Sequence, residues 1–192
     1  AHSATCGAGL LGSDSEERPR DVAQFGCDAV AYHDRYAITE VTLWGTVQGN
    51  ANDTKYRDGR SEVLTEQLTP GEPPFFQLNR FSVLEHQWRF DLAPGEAIEF
   101  HLTASRTASP DGDDFQFEYS ADSGASWVAL NMGRLPYGTE PRLPRAIALP
   151  SSLAGALLLR VVDTDHTPAS QPLDSLTIDE MFVRTVRPTL DN

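Results

Sequence analysis

The stretch Leu84-Glu85-His86-Gln87-Trp88-Arg89-Phe90-Asp91-Leu92-Ala93-Pro94-Gly95-Glu96-Ala97-Ile98-Glu99-Phe100-His101-Leu102-Thr103-Ala104 reads as two strands and the turn between them. Leu84, His86, Trp88, Phe90 and Leu92 share one face, and Glu85, Gln87, Arg89 and Asp91 share the other. After the Pro94-Gly95 turn, Ile98, Phe100, Leu102 and Ala104 repeat the apolar face opposite Glu99, His101 and Thr103. A period of two marks half-buried antiparallel strands, because successive side chains leave opposite faces of the pleat. Outward along the chain the pattern recurs. Phe115, Phe117 and Tyr119 alternate with Gln116, Glu118 and Ser120, and the Asp122-Ser123-Gly124 turn leads into Trp127 to Leu130. Ile147 to Leu149, Leu157 to Val162 and Leu176 to Arg184 follow, and no convincing helical stripe occurs after residue 40. Roughly eight or nine short strands punctuated by Gly, Pro, Asp and Ser predict an all-β fold. The architecture expected is an antiparallel two-sheet β-sandwich of jelly-roll type.

This sandwich is expected over residues 38–186, with 187–192 as a tail. Residues 1–37 differ: Gly7 to Arg20 holds no sustained period, and Val22 to Tyr36 has room for one short helix interrupted by Gly26. They read as an irregular N-terminal extension or linker. Cys6 and Cys27, the only cysteines, both lie there. A disulfide between them would stabilise by roughly 3 kcal/mol, and it points to an oxidising, extracytoplasmic compartment. The alternatives are two free structural thiols or, less suited to the spacing, zinc. The chain begins at Ala1 without a Met, as a mature or excised fragment would.

The 192 residues carry 15 Lys+Arg against 28 Asp+Glu, a formal charge of −13. That excess argues against nucleic acid, whose binding rests on counterion release by Lys and Arg, and against anionic membrane surfaces. It favours solubility, hard cations and polar uncharged ligands. Nothing spans a bilayer: Ala154 to Val162, the longest apolar stretch, is broken by Gly155 and Arg160. Motifs of nucleophilic, zinc-protease or phosphate-binding sites are absent, which predicts a non-catalytic protein. A jelly-roll lyase or hydrolase would need a charged cleft on one sheet face, for which Glu85, Arg89, Glu99 and His101 are the outward candidates. His86, on an apolar face, is either a buried ligand or base, or a core histidine with both ring nitrogens hydrogen-bonded.

The acids cluster at strand ends. Asp163, Asp165, Thr167 and Asp174 follow a calcium-loop spacing, but Pro168 stands where such a loop needs Gly and the flanks read as strands. Asp111-Gly112-Asp113-Asp114 closes a turn, and Asp53, Asp58, Glu62 and Glu66 form a third acidic stretch. Asp179 falls inside the last strand, on the face of Thr177, Met181 and Val183, so it needs a metal or a basic partner. A structural Ca²⁺ is expected from among Glu66, Asp114, Asp163, Asp165 and Asp179. Tyr56, Phe75, Phe76 and Tyr137 sit in loops outside the inward alternation and are the candidates for stacking on sugar rings. Trp44 and Trp127 fit strands and are expected to pack in the core.

The series Trp44-Gly45-Thr46-Val47-Gln48-Gly49, Asp53-Thr54, Asp58-Gly59, Leu64-Thr65-Glu66, Leu84 to Phe90, Asp111 to Ser120, Leu159 to Asp165 and Leu173 to Arg184 resembles a β-sandwich accessory module of secreted multidomain bacterial proteins. Such modules are similar to the galactose-binding-like jelly rolls. The resemblance implies a place beside peptidase or polysaccharide-degrading domains, bound calcium, and in some cases carbohydrate binding. It would make Glu66 and Asp179 neighbours, with Asp114 and Asp163 as further ligands. The function expected is therefore that of a calcium-stabilised, secreted, non-catalytic module binding polysaccharide or cell-surface glycan. Its rival is a structural or protein-interaction module beside a hydrolase domain.

Overall fold

The computed structural model describes residues 30–70, 80–108, 114–164 and 173–188. Cys6, Cys27, Phe75, Phe76, Asp165 and the Asp111 to Asp113 run lie outside the described residues, as do most of 1–37 and of 187–192. In chain order the strands are β1 (Val30–Arg35), β2 (Thr39–Trp44), β3 (Thr46–Gln48), β4 (Glu62–Thr65), β5 (Gln67–Leu68), β6 (Ser82–Val83) and β7 (Glu85–Leu92). They continue as β8 (Ala97–Arg106), β9 (Phe115–Ser120), β10 (Val128–Ala129), β11 (Arg145–Leu149), β12 (Gly155–Asp163) and β13 (Ser175–Pro188). No helix among the described residues is long and apolar enough to cross a membrane.

One sheet runs β11-β8-β13-β4-β3, with β1 also on β13; the other runs β10-β9-β12-β7-β2, and β5-β6 form a small separate ladder. All these ladders are antiparallel. Strands β7 and β8, adjacent in sequence, lie in different sheets. The parity of the opening stretch accordingly turns its two apolar faces toward each other. Trp88 and Phe90 from β7, Phe100 from β8, Phe117 from β9 and Leu159 from β12 are buried between the sheets. Trp88 stacks parallel to Phe117 at 6.3 Å, and Phe100 meets Phe117 at 6.0 Å. Each such side chain contributes about 1.5–3 kcal/mol by leaving water. This is the expected two-sheet sandwich.

The edges differ from the expectations in three places. Val30–Arg35, inside the stretch read as an extension with room for a helix, is a strand paired with the last half of β13. It completes that strand's hydrogen bonds and places Asp34 against Arg184 at 2.7 Å. A register shift in β13 between Ile178 and Glu180 then changes which parity faces inward. Leu176 and Ile178 are buried before the bulge, and Met181, Val183 and Thr185 after it, so Asp179 does not share the face of Met181 and Val183. Finally, Trp44 is 40% exposed instead of packed in the core. It ends β2 just where the chain crosses to the other sheet through Gly45. That glycine adopts φ +98°, and a Cβ there would stand 2.5 Å from Leu84 Cδ1 and 2.8 Å from Thr65 O.

Candidate functional site

Between the sheets, beside Trp88, the structure buries an ionisable pair. Glu62 comes from β4 in one sheet and His86 from β7 in the other; both side chains are 0% exposed and Glu62 Oε1 lies 3.3 Å from His86 Nε2. The remaining polar atoms are held. Trp88 Nε1 donates to Glu62 Oε2 at 3.0 Å, and His86 Nδ1 is 2.8 Å from Thr42 Oγ1. His86 is thus a core histidine whose Nδ1 is hydrogen-bonded and whose Nε2 faces a carboxyl. Burial, with the nearby Glu40 carboxylate next, pushes the Glu62 carboxyl up to about 8, against the pull of the Trp88 hydrogen bond; burial pushes the His86 imidazole down to about 4. At neutral pH the pair holds one proton and no net charge. With that proton on Glu62, the Nε2 lone pair faces the carboxyl across 3.3 Å and Nδ1–H can donate to Thr42.

Glu40, on β2, completes the group: a carboxylate oxygen of Glu40, one of Glu62 and a ring nitrogen of His86 all lie within 4.8 Å of one another. Glu40 is half-buried, and its Oε2 accepts from Ala51 N at 2.6 Å. The turn Ala51 belongs to reaches the other sheet, where Met181 N donates to Thr54 O at 2.8 Å. A surface cavity of about 320 Å³, lined by Thr39, Glu40, Asn50, Ala51 and Asn52 among others, opens on the Glu40 side.

Among the expected calcium ligands, Glu66 is buried next to the start of β13. Its neighbour there is Asp174, not Asp179: Glu66 Oε2 accepts from Asp174 N at 2.9 Å, and Glu66 N donates to Asp174 O at 3.0 Å. Asp174 is buried too and accepts from Thr107 Oγ1 at 2.9 Å. Asp163 is buried at the end of β12, with its N–H donating to Leu84 O. The other two have basic partners. Asp179 takes the Arg142 guanidinium at 2.9 Å, the basic partner expected for a carboxylate inside a strand, and Asp114 lies 3.2 Å from Arg106 Nε while also accepting from Leu135 N. Neither is brought beside Glu66 by any contact seen.

The loop aromatics also separate. Tyr137 is 38% exposed, but the guanidinium carbons of Arg134 and Arg106 lie over its ring at 4.8 and 5.2 Å. Tyr56 is 62% exposed and joins an aromatic band on the outer side of the six-stranded sheet. Its ring meets Tyr36 at 5.7 Å, Tyr36 meets Phe182 at 6.0 Å, and Phe182 stacks on His101 at 4.6 Å. Arg184 lies over both Phe182 and the exposed Tyr32, and its fork holds Asp34 with two hydrogen bonds. Beside the band a cavity of about 320 Å³ is lined by Asp34, Tyr36, Lys55 and Asp91 among others. On the other sheet's outer face, Arg160 sits 4.2 Å over the half-buried Trp127 and pairs with Glu118 and Glu85. Glu85 and Arg89 lie on the five-stranded sheet, whereas Glu99 and His101 lie on the six-stranded one, so these four do not converge on one cleft.

Reading the sequence for loop residues missed Tyr32, Tyr36, Phe182 and the Glu40–Glu62–His86 group. For Glu62 a signal existed. Glu62, Leu64 and Glu66 have the same parity, so an inward Leu64 carries both glutamates inward with it.

No protein-family model matches the chain, and no curated protein matches it. Among solved structures it is similar to TmCBM61 in complex with β-1,4-galactotriose, a carbohydrate-binding module. The two share 13% sequence identity over 76% of this chain and 86% of that one, with a TM-score of 0.42.

Proposed function

We propose that the chain is a non-catalytic accessory module of a secreted protein that binds polysaccharide or cell-surface glycan. The observation that supports this reading is the exposed Tyr56 ring, which heads the aromatic band Tyr56–Tyr36–Phe182–His101, with the cavity beside it. A sugar presents apolar C–H faces and a rim of hydroxyls. Aromatic rings take the first, and charged groups such as Lys55 and Asp91 take the second. A carbohydrate is also the polar, uncharged partner that suits a net charge of −13. Tethering such a module to an enzyme raises the enzyme's effective concentration at its substrate. Glycan arrays and pull-downs on insoluble polysaccharides test the reading. Retention is expected, with Tyr56→Ala weakening it by about tenfold, or ~1.4 kcal/mol. No retention on any glycan, or retention unchanged in both Tyr56→Ala and Tyr36→Ala, would overturn it.

Calcium belongs to the same proposal, with Glu66 and Asp174 as the two carboxylates that would hold it. Buried carboxylates and a threonine hydroxyl offer only oxygen, the donor set of a hard cation, and Ca²⁺ neutralises charge that is costly to bury. Asp114 and Asp179 are spoken for by arginines and drop out of the set. The melting temperature is expected to fall with a calcium chelator and to recover with added Ca²⁺. Asp174→Asn should abolish that response, and a chelator-insensitive wild type would remove calcium from the account.

One observation favours the rival reading. Val41, Leu43, Trp44 and Val47 are all exposed on the edge strands β2 and β3, an apolar corner suited to docking a neighbouring domain.

A further inference from the structure

We propose that Glu40, Glu62 and His86 form a site for one divalent transition-metal ion of the zinc class, which ties the two sheets together. Calcium at Glu66 is a separate matter, and neither site depends on the other.

The argument starts from geometry. Two ligands each about 2.1 Å from a tetrahedral ion stand roughly 3.4 Å apart. Glu62 Oε1 and His86 Nε2 are 3.3 Å apart, longer than the usual N–H···O hydrogen bond but right for two atoms facing one ion. Both atoms are fully enclosed, and neither has a hydrogen-bond partner in the structure. The atoms behind them are fixed. Thr42 Oγ1 can accept from Nδ1–H, the tautomer that leaves the Nε2 lone pair facing Glu62, and Trp88 Nε1 pins Glu62 Oε2. Such outer partners orient metal-binding histidines and carboxylates. Glu40 supplies the third donor, within 4.8 Å of the other two, with only Oε2 engaged by Ala51 N.

The donor set selects the cation. One imidazole nitrogen and two carboxylates suit zinc and its neighbours, whereas calcium takes oxygen alone. Three protein donors leave a fourth position, and the cavity on the Glu40 side, lined also by Asn50 and Asn52, has room for a water. A cation there also offsets the cost of two carboxylates gathered at the sheet interface. Because β2 and β7 belong to one sheet and β4 to the other, binding clamps the sandwich at the mouth of that cavity.

The test uses the full chain stripped with a strong chelator and titrated with Zn²⁺ and, as a spectroscopic probe, Co²⁺. One equivalent of Co²⁺ should bind with the visible absorption of a low-coordinate nitrogen-and-oxygen site, and Zn²⁺ should displace it while Ca²⁺ does not. Glu40→Gln, at the rim where folding is least at risk, should weaken binding by roughly tenfold or more. His86→Gln should abolish it. Should His86→Gln fail to fold, X-ray absorption on the Zn²⁺-loaded wild type decides: one imidazole ligand supports the site, and an all-oxygen shell overturns it. No binding, or binding unaltered in Glu40→Gln, overturns it equally.

Discussion

Trp88→Phe is expected to destabilise the domain by about 2–5 kcal/mol, through lost volume and the loss of one hydrogen bond. Trp88 is fully buried, stacks on Phe117, and is the donor for Glu62 Oε2. Phenylalanine keeps an aromatic ring but loses part of the volume, a cost of about 1–2 kcal/mol in a close-packed core. It also removes the indole N–H and leaves a buried carboxyl oxygen without its donor, costing about 1–3 kcal/mol more. The two parts separate in a double-mutant cycle. In a Glu62→Leu background no carboxyl is left to orphan, so Trp88→Phe should cost less there by at least about 1 kcal/mol. Urea unfolding of the four proteins measures this. Additive costs would show that the indole contributes packing alone, and that the Trp88–Glu62 bond does not hold the centre of the sandwich.

That centre shows how much a one-dimensional reading carries. The alternation of Leu84 to Leu92 and of Ile98 to Ala104 fixes which side chains face inward, because strand parity is local and depends on nothing elsewhere in the chain. Trp88, Phe90 and Phe100 are accordingly buried as read. Parity fails where the backbone slips. The bulge at Ile178/Glu180 moves Asp179 off the face of Met181, and no residue type in Ile178-Asp179-Glu180 announces it. Partners far apart in sequence were equally hidden. Arg142 reaches Asp179, Arg184 reaches Asp34 and Thr107 reaches Asp174 only because the sheet order places β13 between β8 and β1 or near the loops that carry them. The acidic run of residues 53–66 was legible as acidic but not as split. Glu62 and Glu66 turn inward on either side of Leu64, while Asp58 stays at the surface. The candidate site lies there, and not in the more conspicuous loop acids.

The largest pH effect should come from the same pair. Folded, Glu62 titrates near 8 and His86 near 4, against ordinary values of 4.5 and 6.5. The folded pair therefore keeps a single proton across the whole interval from about 4 to about 8, whichever of the two atoms carries it. The unfolded chain holds two protons on these groups below 4.5, one between 4.5 and 6.5, and none above. Glu62, with its raised value, stabilises fully below 4.5 and loses that contribution as pH rises toward 8. His86, with its lowered value, stabilises fully above 6.5 and loses its contribution as pH falls toward 4. Between 4.5 and 6.5 the two trends cancel. Above 6.5 only the glutamate term remains, so stability should fall by about 1.4 kcal/mol per pH unit, about 2 kcal/mol by pH 8. Glu62→Gln removes that term and leaves the histidine, so the variant should gain stability from pH 4 to 6.5 and then stay level. Other groups titrate alike in both proteins, so the difference between variant and wild type isolates the pair: it should climb steadily in the variant's favour from about 4.5 to 8. Urea unfolding across that range, with a chelator present to keep the group metal-free, is the measurement. Parallel profiles would mean that Glu62 is ionised in the folded protein, with His86 protonated beside it only when solvent supplies the proton, and the neutral buried pair would have to be abandoned.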